Sequence, residues 1–443
     1  MTSTAPHRSI AALLGALLVV TLPGSSAHAS ATDDPQDDQK DPSGVTLHGD
    51  EVRGGSNWGD AVELSTEGQY LDEFTDDTLH YRIPREIDDS TIHVGVTTFG
   101  QDGEGDSVQI ELGTWDGEPC ASSSISTSAS GYRDHLRSTH IGTVTGMDVL
   151  EQDEDPCRSA DEIIMSIELD ADPDEARSIG EPLEILVYEE PPPTNLDDLP
   201  EAYDDMGEWV DIGRNIAGAL EIAPGTSFDD APVLDPGNTY DVELRPGQIQ
   251  FFRVPLDWGQ HLQAEAHFPE PSEQLSRELE RMGQVSLMVV NPMRAALDSS
   301  AGSPSSRSTS QYRVRHEPIR WFNREWSFST LAGEHILVVA ADEHETGADF
   351  LMDYHLTMDT FGEAGEGAPE YPAEHENSQP GFSGGDGWWE GSTGSQGIVS
   401  AIERIRGLGE NAAAVGALAT FGLLMFATGS LVLVRTLRRG ERR

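Results

Sequence analysis

The stretch that decides the fold covers residues 225–256. It opens with the sequence GTSFDDAPVL at residues 225–234, passes a turn at Gly237 and Tyr240, and ends with FFRVPL at residues 251–256. Gly, Asp and Pro dominate its first half, whereas aromatic and β-branched residues dominate its second half. That change in composition predicts a tight turn leading into β-strands.

A related stretch occurs earlier in the chain. It reads GSNWGDAVEL at residues 55–64, then reaches Tyr70, and then continues as YRIP at residues 81–84. The two stretches align at an offset of 170 residues, which becomes 171 at the second strand. A period this long is typical of a duplicated domain rather than a solenoid repeat. The sequence therefore predicts a first module at residues 45–190 and a second module at residues 222–360.

Both modules contain short runs of apolar residues separated by Gly, Asp and Ser. Several runs alternate apolar and polar residues, as in VQIEL at residues 108–112. Such alternation predicts antiparallel strands with one wet face, so we expect an all-β chain of two tandem antiparallel, jelly-roll-like β-sandwiches. The predicted strands are residues 78–83, 91–98, 107–112, 163–169, 183–188, 239–244, 249–255, 262–267, 285–290, 312–316, 326–329, 335–340 and 354–358.

Other features of the second module are read from composition and spacing. Apolar residues at helical spacing predict a helix within residues 272–282, and a polar run predicts a loop at residues 295–310. A short helix is also predicted within residues 201–209. Large aromatic residues are expected to form the core of this module, namely Trp258, Trp321, Phe322, Trp326 and Phe328.

The segments outside the modules differ from them in composition. Residues 30–44 are acidic and polar, which predicts a disordered lead-in. Residues 191–221 open with three consecutive prolines and are predicted to be a stiff linker. Residues 361–411 are rich in Gly, Glu and Ser, and are predicted to form a stalk.

The two ends of the chain carry signals for export and membrane insertion. Residues 1–29 combine Arg8, an apolar run and an Ala-His-Ala cleavage site, as in a secretory signal peptide. Residues 412–434 lack charges and are long enough to cross a bilayer, and five arginines lie within residues 435–443. Positive residues favour the cytoplasmic side, so we expect a single transmembrane helix with the modules outside the cell.

Net charge and cysteine content limit the classes of function that the sequence allows. A formal net charge of -52 argues against nucleic-acid binding, which needs a basic surface. The two cysteines, Cys120 and Cys157, both lie in the predicted exported part, where paired cysteines usually form a disulfide. We expect this bond to fasten a Ser/Thr-rich insertion to the first sandwich.

An acidic turn offers the strongest candidate for a metal site. Asp102, Glu104 and Asp106 alternate with glycines, and carboxylate oxygens on such a turn suit Ca²⁺. The alternative is a solvated hairpin turn, since position twelve of an EF-hand loop would be Gly113 rather than Glu. No other cofactor is predicted.

Two further patterns resemble catalytic or zinc sites only superficially. The sequence GFSGG at residues 381–385 is similar to the surroundings of a serine nucleophile, but it lies in the predicted stalk, which cannot hold a catalytic triad in position. His335, His344 and Glu345 lack the spacing of a zinc protease motif, and His335 lies in a predicted strand.

The repeated motif resembles bacterial pre-peptidase C-terminal-type domains, and more closely the paired ectodomains of membrane-anchored actinobacterial surface proteins. The resemblance rests on an opening with an aromatic residue before Asp-Ala, a Gly-Tyr turn, and a strand reading aromatic-Arg-[Ile/Val]-Pro, in both modules. It implies non-catalytic β-sandwiches, which often flank exported enzymes. The protease or von Willebrand A domain that accompanies such modules elsewhere is not recognisable in this sequence.

The residues of the motif also have a structural interpretation. The aromatic residues Trp58 and Phe228 are expected to plug one end of each sandwich. Asp60 and Asp230 are expected to accept backbone N–H bonds in the turn that follows them. Tyr70 and Tyr240 are expected to pack at an edge, with their hydroxyl groups near solvent.

These observations favour a non-catalytic surface adaptor that binds an extracellular protein or a wall polysaccharide. Two alternatives remain open. One is an exported hydrolase with an unrecognised site in the second module, and the other is a structural component of the cell envelope. A cleft that gathers titratable groups would favour the enzyme, whereas an exposed aromatic patch would favour binding.

Overall fold

The computed structural model describes residues 45–99, 107–126, 136–145, 155–170, 180–203 and 207–375. These residues fall within one compact unit and form an all-β fold. The predicted signal peptide, transmembrane segment, basic tail and Ca²⁺ loop lie outside the described residues and stay predictions. Within the described ranges, no helix is long and apolar enough to span a bilayer.

The first module is built from two sheets packed face to face. Its described strands are β1 (Asp50–Glu51), β2 (Val62–Glu63), β3 (Glu67–Glu73), β4 (Thr78–Pro84), β5 (Thr91–Phe99), β6 (Ser107–Thr114), β7 (Pro119–Ser126), β8 (Leu136–Gly142), β9 (Glu162–Asp170) and β10 (Pro182–Glu190). One sheet has the order β1-β3-β10-β5-β8, and the other has the order β2-β4-β9-β6-β7. A short helix, α1 (Pro156–Ser159), precedes β9.

The second module repeats this plan. Its described strands are β11 (Leu220–Glu221), β12 (Thr239–Leu244), β13 (Ile249–Leu256), β14 (His261–Phe268), β15 (Val285–Val290), β16 (Ala296–Gly302), β17 (Ser310–Arg315), β18 (Gly333–Ala341) and β19 (Met352–Phe361). The sheets have the orders β11-β12-β19-β14-β17 and β13-β18-β15-β16. A helix, α2 (Glu273–Leu279), and short 3₁₀ helices complete the described elements; the latter are Trp58–Asp60, Leu196–Asp198, Ile216–Gly218, Trp321–Glu325 and Ala373–His375.

The register of the strands shows that the two modules are copies of one plan. β1 pairs in parallel with β3 through Asp50 and Tyr70, and β11 pairs in parallel with β12 through Leu220 and Tyr240. Both pairs differ by the same offset of 170 residues. Together with the matching sheet orders, this confirms the expected correspondence for the described strands except β2, whose counterpart is the isolated bridge between Val233 and Arg253.

The tyrosine shared by the two copies of the motif forms a hydrogen bond with the turn that precedes its strand. The hydroxyl of Tyr70 accepts the backbone N–H of Ser65 at 2.7 Å, and that of Tyr240 accepts the N–H of Asp235 at 2.8 Å. Both residues are buried, with 7% and 4% of their surface exposed. Each hydroxyl supplies the hydrogen-bond partner that an isolated turn N–H needs, and its position near solvent stays a prediction.

The two aspartates occupy equivalent turns but make different hydrogen bonds. Asp230 accepts the backbone N–H groups of Thr226 and Ser227, which precede it rather than follow it. Asp60 accepts the side-chain amide of Asn57 at 2.7 Å. The prediction that each Asp binds the following turn was therefore wrong, because the polar residues that need a partner lie on the N-terminal side.

Apolar side chains from both sheets meet between them in each module. Leu79, Ile110, Met165 and Ile185 belong to the buried cluster of the first module. In the second module, Trp258 and Trp321 join the buried core, as predicted, and Phe322 packs against it. Burial of this apolar area is the main driving force for each sandwich.

Several predicted elements of the second module were wrong. Residues 295–310 were predicted as a loop but contain β16, whose Ser-rich sequence gave little strand signal. Residues 326–329 form no strand; they follow a 3₁₀ helix, and Trp326 and Phe328 are exposed rather than in the core. The helix predicted within residues 201–209 is not present in the described part of that range.

The disulfide is present, with Cα atoms of Cys120 and Cys157 5.5 Å apart. It joins the start of β7 to α1. The stretch between the cysteines was predicted as an insertion, but it contributes β7 and β8, one to each sheet. Each lies at the end of its sheet order, and small polar residues make up most of β7.

The segment between the modules, predicted as a stiff linker, contacts the second module along its described part. Its residues bind along the second module: Val210 donates its N–H to Gln263, and Arg214 pairs with Glu265 at 3.1 Å. The predicted stalk also begins later than residue 361. Thr194 donates its N–H to the carbonyl oxygen of Glu370 at 2.7 Å, so this part of the chain packs on the linker.

Candidate functional site at the module junction

The two modules meet directly, and we call this contact the junction. β13, β15 and β18 are buried on both faces, and apolar residues predominate on both faces of each strand. Their inner residues join the module core. Their outer residues, among them Phe251 and Met288, form a second apolar cluster with Val45, Leu47 and Leu136 of the first module. The junction is therefore a third core between two sandwiches.

The turn between β15 and β16 inserts into the first module. Met293 is fully buried and packs with Leu186 and Tyr188 of β10. A Cβ atom at Gly95 of β5 would lie within 2.3 Å of the carbonyl oxygen of Met293. Only glycine allows this approach, so Gly95 is required by the contact rather than by its own strand.

Arg294, next in this turn, carries a charge into the junction. Its backbone φ is 73°, an uncommon value for a residue other than glycine. Its guanidinium lies 3.6 Å above the ring of Phe228 and 3.2 Å from the carboxylate of Glu184 in β10. The turn therefore binds the first module by both packing and charge, because a guanidinium can stack on a ring while it pairs with a carboxylate.

A second buried ion pair lies beside it within the second module. Arg253 lies 3.2 Å from Glu334 and also donates to the carbonyl oxygens of Phe228 and Asp229. Burial raises the pKa of Glu334 to about 7, although the neighbouring guanidinium of Arg253 opposes the rise. A small cavity of about 30 Å³ adjoins these groups, which is enough for about one water molecule.

Glu190, at the end of β10, is the centre of a third polar group. Its carboxylate accepts Nε2 of His93 at 3.0 Å, the guanidinium of Arg324 at 3.0 Å and the hydroxyl of Tyr371 at 2.7 Å. Burial alone would raise its pKa, but Arg324 and His93 outweigh burial and lower the pKa to about 2. The carboxylate is therefore charged and links the first module to two segments of the second half of the chain.

A line of hydrogen bonds continues from Glu190 across the junction. Nδ1 of His93 lies 2.9 Å from Nε2 of His140, and Nδ1 of His140 lies 3.2 Å from the amide nitrogen of Asn291. We call these four residues, Asn291, His140, His93 and Glu190, the histidine chain. Burial lowers the pKa of both histidines, so both rings are neutral at neutral pH.

An open cleft lies at the edge of the junction, beside the histidine chain. It has a volume of about 1070 Å³ and is lined by Tyr203, Trp326 and Phe328, with carboxylates at Glu201 and Glu325. We call it the Trp326 cleft, because 74% of the surface of Trp326 is exposed. An exposed Trp beside further aromatic rings is a usual mark of a binding surface.

Local structure explains why Trp326 faces outward. In the 3₁₀ helix Trp321–Glu325, residues three apart share a face, so Arg324 lies over the buried ring of Trp321 at 3.6 Å. Asn323 binds the carbonyl oxygens of Pro318 and Ser329 and so closes the loop. Residues on both faces of the 3₁₀ helix are therefore already in contact with other groups. Trp326 follows the last turn of this helix and lies outside the core.

The structure does not gather the sequence-predicted chemical groups into a site. His335 is buried and stacks on His316 with ring centroids 5.5 Å apart, and His344 contacts the carbonyl oxygen of Glu278. Among the residues that the structure describes, no group of three or more His, Cys, Asp or Glu is arranged to hold a metal ion. The candidate Ca²⁺ ligands Asp102, Glu104 and Asp106 lie outside those residues.

Sequence reasoning missed the junction and the cleft. One signal was present: the strands at residues 285–290 and 335–340 are apolar at every position except Ser286 and His335, which indicates burial on both faces. No sequence pattern indicated that Trp326 is exposed, because a run of aromatic residues is equally typical of a buried core and of an exposed surface.

Comparison with known proteins adds no family. No protein-family model matches the chain, and no curated protein matches it. Among solved structures, a protein of Eubacterium rectale described as secreted is 7% identical, with 76% of this chain and 86% of that chain covered and a TM-score of 0.18. A human MASP-1/3 fragment, CUB1-EGF-CUB2, is 9% identical over 67% of this chain and 100% of that chain, with a TM-score of 0.18.

A tandem CBM22 fragment of Xyn10C from Paenibacillus barcinonensis is 7% identical over 67% of this chain and 87% of that chain, with a TM-score of 0.17. Scores this low carry no argument about fold or function. The functional argument therefore rests on the geometry of this chain alone.

Proposed function

We propose that this chain is a non-catalytic binding protein anchored at the outer face of a cell membrane, where its paired jelly-roll modules bind a neutral saccharide chain in the Trp326 cleft. The observation that carries this proposal is the exposed Trp326 at the edge of an open cleft of about 1070 Å³. Concave sites with aromatic linings and a few polar groups are common ligand sites.

The lining of the cleft suits a sugar. The face of an aromatic ring carries partial negative charge, and the C–H groups on one face of a sugar ring are weakly positive, so the two stack. Trp326 and Phe328 offer such rings, while Glu201, Glu325 and Ser327 offer oxygen atoms that can accept hydroxyl protons. An open cleft also admits a polymer that continues at both ends.

Charge favours a neutral chain over an acidic one. The protein carries a formal net charge of -52, which repels anionic polymers over several ångströms at moderate salt. Arg324 lines the cleft, but its charge is paired with Glu190 and its side chain is only 4% exposed. No cation of the described lining is therefore left to attract a polyanion.

The junction supports the idea of a single binding unit. Buried contacts cross it at Met293, at Arg294, at the histidine chain, between Glu190 and Arg324 and in the apolar cluster. Arg324 and Phe328 of the lining contact Glu190 and His140 of the first module, so the junction holds this part of the cleft in place, which lowers the entropy lost on binding. Membrane attachment rests on the apolar residues 412–434 and the arginines that follow.

The test is binding of neutral polysaccharides to the full exported chain in detergent. Trp326→Ala should weaken binding about tenfold or more, because loss of one aromatic stacking contact costs about 1.5 kcal/mol. The matched control is Trp115→Ala, since Trp115 is also an exposed Trp, 52% exposed, but lies in the β6–β7 turn. Equal binding by Trp326→Ala and the wild-type protein would contradict the proposal.

A second arm separates sugar from protein as the ligand. If no neutral polysaccharide binds, crosslinking from a photoreactive residue at position 326 on intact cells would show whether a protein occupies the cleft. Recovery of one protein, lost when Phe328 is changed to Ala, would overturn the saccharide assignment and leave a protein-binding role.

A further inference from the structure

The histidine chain allows only one arrangement of protons. The amide group of Asn291 donates both its protons, one to the carbonyl oxygen of Phe328 at 3.0 Å and one to His140, while its oxygen accepts the N–H of Ala295. Nδ1 of His140 must therefore be an acceptor, and its proton lies on Nε2. That proton is donated to Nδ1 of His93, whose own proton lies on Nε2 and is donated to Glu190.

Protonation of either histidine breaks this arrangement. A charged His140 would carry a proton on Nδ1, opposite the amide protons of Asn291. A charged His93 would carry one on Nδ1, opposite the proton of His140. Rotation of the Asn291 amide would not help, because it would lose the bonds to Phe328 and Ala295. The hydrogen bonds of the histidine chain can therefore form only when both imidazole rings are neutral.

The charges around the histidine chain also disfavour protonation of its two histidines. Glu190 and Arg324 already neutralise one another at 3.0 Å, with side chains 1% and 4% exposed. The other titratable groups that face the histidines are Tyr188 of β10 and Tyr371, and burial raises the pKa of both well above the usual value. A new imidazolium would thus be a buried charge without its own partner, which is costly.

Two residues that contact the histidine chain, Arg324 and Phe328, also line the Trp326 cleft. The ring of Phe328 lies 6.0 Å from that of His140, and its carbonyl oxygen is held by Asn291. Arg324 lines the cleft and binds Glu190. Any loss of contact at the histidine chain therefore moves or frees the wall of the cleft.

We propose that the histidine chain is a pH-sensitive latch, which closes the two modules together at neutral pH and releases them, with the Trp326 cleft, in mild acid. The effect on ligand rests on the function proposed above, whereas opening of the junction does not. Protons are the only co-reactant, and no covalent step is involved.

The direction of the effect follows from linkage. The folded-state pKa values of His93 and His140 are lowered, by burial first, relative to the unfolded value of about 6.5. Their contribution is therefore fully present above about pH 6.5 and is lost as the pH falls toward their folded values. Glu190 responds later, because its pKa of about 2 keeps it charged through mild acid.

Buried histidines of the second-module core titrate in the same direction and must be separated from the latch. Burial lowers the pKa of His335 to about 4 and that of His316 well below its usual value. Their protonation would unfold the second module rather than part the two modules. The readout must therefore report the distance between modules.

The experiment uses the full exported chain in detergent, without ligand, with spin labels on noncanonical residues at the exposed positions Ser124 and Ser299, one in each module. The distance between the two spin labels is measured by double electron–electron resonance between about pH 7.5 and about pH 5. We expect one narrow distance at the upper pH and a longer, broader distribution at the lower pH, reversible on return. The variant with His93→Gln and His140→Gln should keep the narrow distance throughout.

Two outcomes would overturn the latch. One is a wild-type distance that does not change down to about pH 5, and the other is opening of the double variant at the same pH as the wild-type protein. If the double variant does not fold, nitrogen NMR of the wild-type rings decides: both must be neutral with the proton on Nε2 at about pH 7.5. A charged ring there would also overturn the proposal.

Binding measurements keep the two proposals apart. Saccharide binding at about pH 7.5 tests the cleft alone, and the label distance without ligand tests the latch alone. Gly95→Ala gives a further control, since its Cβ would meet Met293 and should open the junction at every pH. If Gly95→Ala opens the junction but saccharide still binds, coupling between latch and cleft is overturned.

Discussion

The two copies of the repeated motif lie in opposite environments. In the first module, Arg82 is 43% exposed at its side chain and pairs with Glu63 at 2.8 Å and Glu162 at 3.9 Å. In the second module, the equivalent Arg253 is 6% exposed and pairs with Glu334 at 3.2 Å. One sequence motif therefore yields a solvated ion pair in one copy and a buried one at the junction in the other.

The aromatic residue of the motif differs in the same way. Trp58 is 40% exposed, whereas Phe228 is 3% exposed beneath the guanidinium of Arg294. The prediction that both rings plug a sandwich end is thus wrong for Trp58. The comparison teaches that neither the strand order nor the motif decides burial; the contact with the neighbouring module does.

The largest expected contrast is between the two arginines. Arg253→Ala should destabilise the protein by about 3–5 kcal/mol, because it leaves Glu334 buried without its cation. Arg82→Ala should cost less than about 1 kcal/mol, since exposed pairs contribute little. Chemical denaturation of both variants would measure the difference. Similar losses for the two variants would show that junction burial does not govern the motif.

The next contrast between the two modules should come from loss of the disulfide. Both cysteines lie in the first module, and the bond closes a loop with a sequence separation of 37 residues. Its removal by Cys120→Ser with Cys157→Ser should cost about 3–4 kcal/mol on the chain-entropy model. Hydrogen exchange should rise in β7 and β9 but not in β16 and β18. A uniform rise across both modules would mean that they unfold as one unit.

The two aspartates should differ by a smaller amount. Asp230 accepts two backbone N–H groups and the hydroxyls of Thr226 and Ser227, so Asp230→Ala should cost about 1–2 kcal/mol. Asp60→Ala removes one bond to an exposed amide and should cost less than about 0.5 kcal/mol. Thermal unfolding would rank them, and the reverse order would refute the assignment of Asp230 as the anchor of its turn.

The last expected difference is one of pH dependence. Because folding raises the pKa of Glu334 to about 7, its contribution is present below the unfolded value of about 4.5 and is lost as the pH rises through about 7. Glu334→Gln should therefore gain stability relative to the wild-type protein between acid and neutral pH. Glu162→Gln, at the equivalent position of the first module with 32% of the side chain exposed, is the control. The same pH dependence for the wild-type protein and Glu334→Gln would contradict the raised pKa of Glu334.

Much of the fold follows from local pattern. Strands such as Thr239–Leu244 and Val285–Val290 were predicted to the residue, because alternation or a continuous apolar run marks them. β7, β8 and β16 were not predicted; β7 and β16 are rich in Ser, and β8 mixes Arg, Ser, Thr and His with its apolar residues, so none carries a clear apolar pattern. Helix α2 lies inside its predicted range, with Ser272 as its N-cap.

The candidate site was less accessible to sequence reasoning. His93, His140 and Glu190 are far apart in the chain, and each reads as an ordinary residue of a strand or its end. Only pairing of β5 with both β8 and β10 places the two histidines and the carboxylate side by side. Asn291 and Arg324 then come from the other module, and no local pattern records such a contact.

The sequence by itself determined the duplication, the all-β architecture and the disulfide, because each depends on residue spacing that is repeated or chemically specific along the chain. The tertiary structure alone decided which copy of the motif is buried, which aromatic residues stay exposed, and where charges cross between modules. The physical reason is that burial depends on what packs against a surface. An Arg-Glu pair, a Trp or a His has the same local pattern in solvent as at a junction, and only the neighbouring module distinguishes them.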